Sequence, residues 1–170
     1  MMKSNQNFTI VYILLAVAQM VICNYFRISP YVYVTILPAM ILCIPLKINT
    51  ALSMLIAFVT GLGVDVLAEG IIGINTLALV PVAFVRIPLL RAAIGNETSG
   101  KEEYFSLRTA GPGKSFFVLA AATCLFLAIY ITADGSGARP FWFNAARFAA
   151  SAVCDSILAI FIVKILRPEE

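Results

Sequence analysis

Histidine is missing from all 170 residues, and charge is scarce, with Asp, Glu, Lys and Arg together making up 12% of the chain. Without histidine there is no Ser-His-Asp triad, no Cys-His pair and no histidine-rich metal site to build. The four cysteines, Cys23, Cys43, Cys124 and Cys154, stand singly with no C-x-x-C spacing. They read as small buried apolar residues rather than as metal ligands or disulfide partners. The segment TAGPGKS approaches a phosphate loop, but G-x-x-x-x-G-K-[ST] requires a glycine where Arg108 stands. That segment also leads into an apolar run instead of following a strand, so a turn is the better reading. No catalytic residue, cofactor or metal site is expected. The net charge of +3 is small and forms no basic face for nucleic acid.

What the chain has instead is apolar surface. Hydrophobic residues make up 61% of it, too many for an ordinary soluble domain of this length and typical of a polytopic membrane protein. A helix needs roughly 20 apolar residues to cross a bilayer. Six stretches qualify, at about 8–26, 31–46, 49–69, 72–90, 115–133 and 141–166. The second is short and carries Pro38 and Pro45, which membrane helices tolerate when neighbours satisfy the freed backbone. The runs are continuously apolar, without the period-two alternation of a β-barrel. A single all-α integral membrane domain with six transmembrane helices, in contact with the lipid bilayer along its length, is the expected fold.

Orientation follows from the basic residues. With the N-terminus inside, Lys3, Lys47, the group Arg86, Arg91, Lys101, Arg108 and Lys114, and then Lys164 and Arg167 fall on the cytoplasmic side. Arg27 and Arg139 are left outside, so both termini are expected in the cytoplasm of a multi-pass inner-membrane protein. The connection 91–114 is polar and glycine-bearing and reads as a cytoplasmic loop, a place for a soluble partner to touch. The residues before Asn24 are not small, and Ile22 stands where a lipoprotein cleavage site needs a small residue. The first apolar run is therefore expected to be retained.

The charges inside the spans are the informative residues. In GLGVDVLAEGIIGIN, Ala57, Gly61, Asp65 and Glu69 recur every four residues, so a ridge of small side chains leads to two carboxylates. In the last span Arg147, Ser151 and Asp155 share that spacing among many alanines. A charge in mid-span opposes insertion by about 2.5–3.5 kcal/mol, so such groups face protein or a water-filled cavity. Counted by depth, Asp65 lies level with Arg147, and Arg86 with Asp155, which leaves two cross-helix pairs open. Gly61 and Gly63 admit a close neighbour, while Gly70 and Gly73 allow a tight turn into the next helix. Asp65 is then within reach of backbone amides and of Asn75, with Arg147 as the expected counter-charge. Fixing the packing of helices and serving a ligand both remain open as roles for these groups.

The run GLGVDVLAEGIIGINTLALVPVAFVRIPLLR, residues 61–91, is similar to the signature of the rod shape-determining MreD family: a glycine pair before an aspartate, then glycine and a small or polar residue opening the next helix. Length, span number and cytoplasmic termini also resemble that family. The resemblance implies a non-enzymatic scaffold subunit of the bacterial cell-elongation (peptidoglycan synthesis) machinery. Its implied partners are the bitopic scaffold MreC and, nearby, the glycosyltransferase RodA, its penicillin-binding transpeptidase and MreB. The family aspartate corresponds to Asp65, with Gly61, Gly63, Gly70 and Gly73 around it; Glu69 and Arg147 do not carry over. The alternative is the substrate-capturing subunit of a vitamin transporter, whose helix arrangement the family is thought to share. In that reading Asp65, Glu69, Asn75 and Trp142 would line an outward cavity. Such subunits typically present an A-x-x-x-A helix face, often on the first helix, which here has only Ala16 and Ala18.

Overall fold

The computed structural model describes residues 2–25, 31–94, 111–135 and 139–166. Most of the expected 91–114 loop, residues 95–110, lies outside the described residues. The described residues are helical without a β-strand, in the order α1 (Met2–Tyr25), α2 (Leu37–Leu42), α3 (Thr50–Val64), a π-helical turn (Asp65–Glu69), α4 (Ile74–Ile94), α5 (Pro112–Gly135) and α6 (Phe141–Leu166). Five of the helices are long and apolar enough to cross a membrane; α2, with six residues, is not. The neighbours α3 and α4, α4 and α5, and α5 and α6 pack along one another.

The polarity of the bundle is that of a protein dissolved in lipid. Leu14, Leu55, Val59, Phe84, Phe117 and Phe161 are exposed on its outside, while Gln19, Ser53, Asp65, Asn75, Arg86 and Ser151 are fully buried. Hydrocarbon accepts the first set, and only protein can satisfy the second. Pro81 and Pro88 lie inside α4 without ending it, as membrane helices allow.

The continuous helix expected over 31–46 does not form. Tyr12 bonds Thr60 and, further along both helices in the same sense, Cys23 meets Glu69, so α1 and α3 run parallel. Residues 31–49 must therefore return the length of the bundle between them. They do so as a buried strap: non-helical through residue 36, then α2, then turns up to Asn49. The sequence YVYVTI explains the first part, since β-branched and aromatic side chains favour an extended chain. Pro38 sits in the first turn of α2, where its missing N–H is not needed, and Pro45 follows the end of that helix.

Candidate functional site

An irregular chain in a bundle core needs partners for its peptide groups, and here side chains of the helices supply them. Ser151 Oγ accepts the Tyr33 amide at 2.8 Å, and Asp155 Oδ1 accepts the Thr35 amide at 3.0 Å. Four residues along a helix rise about 6 Å and two residues of extended chain about 6.6 Å, so α6 and the strap stay in step over both bonds. From the other side Gln19 accepts the Ile36 amide at 2.8 Å and donates to the Val34 carbonyl at 3.2 Å. Its side-chain amide thus pairs with the strap as a neighbouring parallel strand would. Below α2, Arg86 donates to Ser53 Oγ at 2.9 Å and to the Ile44 carbonyl.

The pairing of Arg86 with Asp155, left open by their similar depth, is not the one these contacts make. Each bonds the strap or its end, and Asp155 Oδ2 and Arg86 Nε are buried without a hydrogen-bond partner among the described residues. The expected pairing of Asp65 with Arg147 is corrected as well. Asp65 is fully buried, yet its neutralising partners are amides and side-chain donors rather than a cation. Oδ1 accepts from the Asn75 amide at 2.9 Å and from Asn75 Nδ2 at 3.0 Å. Oδ2 accepts from the amides of Gly73 at 3.0 Å and Thr76 at 3.1 Å, and from Thr76 Oγ1 at 2.8 Å. These are the unpaired amides that open α4, so a carboxylate from the end of α3 caps the next helix.

The glycines make that approach geometrically feasible. A Cβ on Gly61 would stand 2.7 Å from Thr76 Cα, so the backbones of α3 and α4 touch where Asp65 reaches across. Gly70 ends the π turn at φ 73° and its amide bonds the Asp65 carbonyl at 2.8 Å. Gly63 faces Met20, and Gly73, at φ 103°, lies in the turn before α4.

Beyond this cap, at the end of the bundle where α1 and α3 finish, lies a cavity of about 640 Å³. Tyr33 and Tyr130 line it, stacked on each other with ring centroids 4.0 Å apart. Glu69 Oε1 accepts the Tyr33 hydroxyl at 2.7 Å and Oε2 the Tyr130 hydroxyl at 3.0 Å. Tyr33 also lies 2.9 Å from Asn75 Oδ1, so one phenol proton serves two acceptors and connects the cavity to the Asp65 cap. Also lining the cavity, Arg147 pairs with Asp134, and Arg139 pairs with the same oxygen at 2.8 Å. Glu69 and Arg147 therefore line one cavity, while Asp65, Asn75, Arg86 and Asp155 lie in the core. Trp142, which the transporter reading would put in such a cavity, is exposed and does not line it.

Gln19, Tyr33, Thr76, Tyr130 and Asp134 went unread in the sequence. A lone glutamine within the apolar run of α1 was a usable signal for Gln19, whereas Tyr33 and Tyr130 look like ordinary span residues. Compared with family models, with curated proteins and with solved structures, the chain matches none.

Proposed function

We propose that this chain is a non-enzymatic scaffold subunit of the bacterial cell-elongation machinery, similar to MreD, lying in the cytoplasmic membrane and binding a bitopic partner of the MreC kind. It crosses six times, five as helices and once as the 31–49 strap, with both termini cytoplasmic. The observation that carries the reading is the use made of the buried polar groups. Asp65, Arg86 and Asp155 hold backbone in place, which suits a rigid packing surface more than turnover. The stretch that carries the resemblance, 61–91, is also the stretch that builds the Asp65 cap and the contact of α3 with α4.

The outer cavity favours a second reading, the substrate-capturing subunit of a vitamin transporter. Purification in mild detergent with identification of all bound proteins separates the two. Recovery of a single-span scaffold together with wall-synthesis enzymes is the expected result. Recovery of an ATPase module, or of a bound vitamin, would replace the scaffold reading with the transporter one.

A further inference from the structure

The unspent hydrogen-bonding capacity of the outer cavity is mostly of one kind. Glu69 has both oxygens met by tyrosine hydroxyls, with the Cys23 thiol 3.6 Å from Oε1. Asp134 takes two guanidinium groups on a single oxygen. Arg147, by contrast, bonds Asp134 alone among the described residues, where its Nε finds no partner. Arg139 likewise bonds only Asp134 among the described residues, and its side chain is 41% exposed. Two cations share one oxygen of Asp134, while both oxygens of Glu69 already accept tyrosine hydroxyls. A guanidinium offers five donors in a planar fork that matches carboxylate and phosphate oxygens.

The apolar part of the cavity adjoins this donor excess. The guanidinium carbon of Arg147 lies 6.0 Å from the ring centroids of both Tyr33 and Tyr130, and that of Arg139 lies 5.7 Å from Phe143. The volume, about 640 Å³, falls in the range of small-molecule sites. We propose that this cavity binds an amphipathic anion, with a carboxylate or phosphate held by Arg147 and Arg139 and an apolar body laid along Tyr33, Tyr130 and Phe143. A soluble aromatic or acyl acid and an anionic lipid headgroup offer the same chemistry. The inference is independent of the partner reading, since it concerns a ligand of the isolated chain.

The test is thermal unfolding of the purified chain in phosphatidylcholine nanodiscs. One arm titrates phenyl phosphate, with benzyl alcohol as the uncharged counterpart. The other replaces part of the phosphatidylcholine with phosphatidylglycerol. Saturable stabilisation by phenyl phosphate identifies a soluble oxyanion, and stabilisation only by phosphatidylglycerol identifies a lipid headgroup. In either case Arg147→Gln is expected to weaken the apparent affinity about tenfold or more, the loss expected for one charge-assisted hydrogen bond. If Arg147→Gln does not fold, Arg139→Gln, at the exposed rim, carries the same comparison. Stabilisation by neither anion, equal stabilisation by benzyl alcohol, or undiminished affinity in the folded arginine variants would overturn the proposal. Copurification of partners bears on none of these outcomes, so the two readings fail separately.

Discussion

Replacing Gly61 by alanine should destabilise the bundle even though alanine is the better helix former. On propensity alone the change favours the helix by about 1 kcal/mol. The added Cβ, however, would lie 2.7 Å from Thr76 Cα, 2.9 Å from Thr76 N and 3.2 Å from Asn75 C, all of them backbone atoms. Ordinary carbon contacts lie at about 3.5–4.0 Å, so α4 must retreat by roughly 1 Å. Overpacking of that kind costs about 1–3 kcal/mol. The retreat also pulls on the two bonds from Thr76 to Asp65, now 3.1 and 2.8 Å long, each worth about 1.5–3 kcal/mol as a bond to a charged group. Losing part of them brings the expected net loss to about 2–3 kcal/mol. Gly63→Ala is the internal control, because its Cβ would meet only Met20 Cε at 3.6 Å, an ordinary contact. There the propensity gain should survive, leaving the variant as stable as the parent or better by up to about 1 kcal/mol. Reversible unfolding in mixed micelles titrated with a denaturing detergent, followed by circular dichroism, reads both differences. A Gly61→Ala protein at or above parental stability would refute the reasoning about the contact of α3 with α4.

The two buried aspartates should respond unequally to the same conservative change. Asp65→Asn puts an NH₂ among five donors and should cost at least about 3 kcal/mol; Asp155→Asn keeps the acceptor for Thr35 and alters only a second oxygen that has no partner among the described residues, so unfolding should shift by less than about 1 kcal/mol. A double-mutant cycle on Asp134 and Arg147, read by the same unfolding assay, should show coupling of about 0.5–3 kcal/mol, whereas the cycle on Asp65 and Arg147 should be additive. Gln19→Leu leaves the Ile36 amide and the Val34 carbonyl without partners and should cost about 2–4 kcal/mol, with faster amide exchange at residues 34–36 as the local readout.

The long helices were legible because each is a continuous apolar run, and the helix Phe141–Leu166 has the bounds that composition alone suggests. The strap was not, because 31–46 is as apolar as a true span; length and hydropathy measure burial and are silent on whether the backbone bonds to itself or to its neighbours. YVYVTI carried a β-forming signal that hydropathy does not weigh. At the site, Asn75 and the amides of the turn before α4 were readable as partners of Asp65, since the glycines around it announce a tight turn. Matching charges by depth failed for both pairs. That rule assumes that a buried charge needs an opposite charge, while here helix-end amides do that work for Asp65, and the Ser53 hydroxyl and the Ile44 carbonyl for Arg86.

The position of the strap also decides what the cavity is. Tyr33 is bound through its amide to Ser151 and through its hydroxyl to Glu69 and Asn75, so one residue belongs to the ladder on α6 and to the cavity wall. Side chains of an extended chain alternate between faces, and a slip of one residue would turn Tyr33 away from Tyr130 and put Val32 or Val34 in its place. The ladder of Ser151, Asp155 and Gln19 resists that slip only as a set, because each bond fixes one peptide while their spacing fixes the register. The buried polar residues and the aromatic lining of the cavity are therefore one device. Loosening the strap at Asp155 or Gln19 should degrade the geometry of the Tyr33–Tyr130 stack, although neither residue lines the cavity.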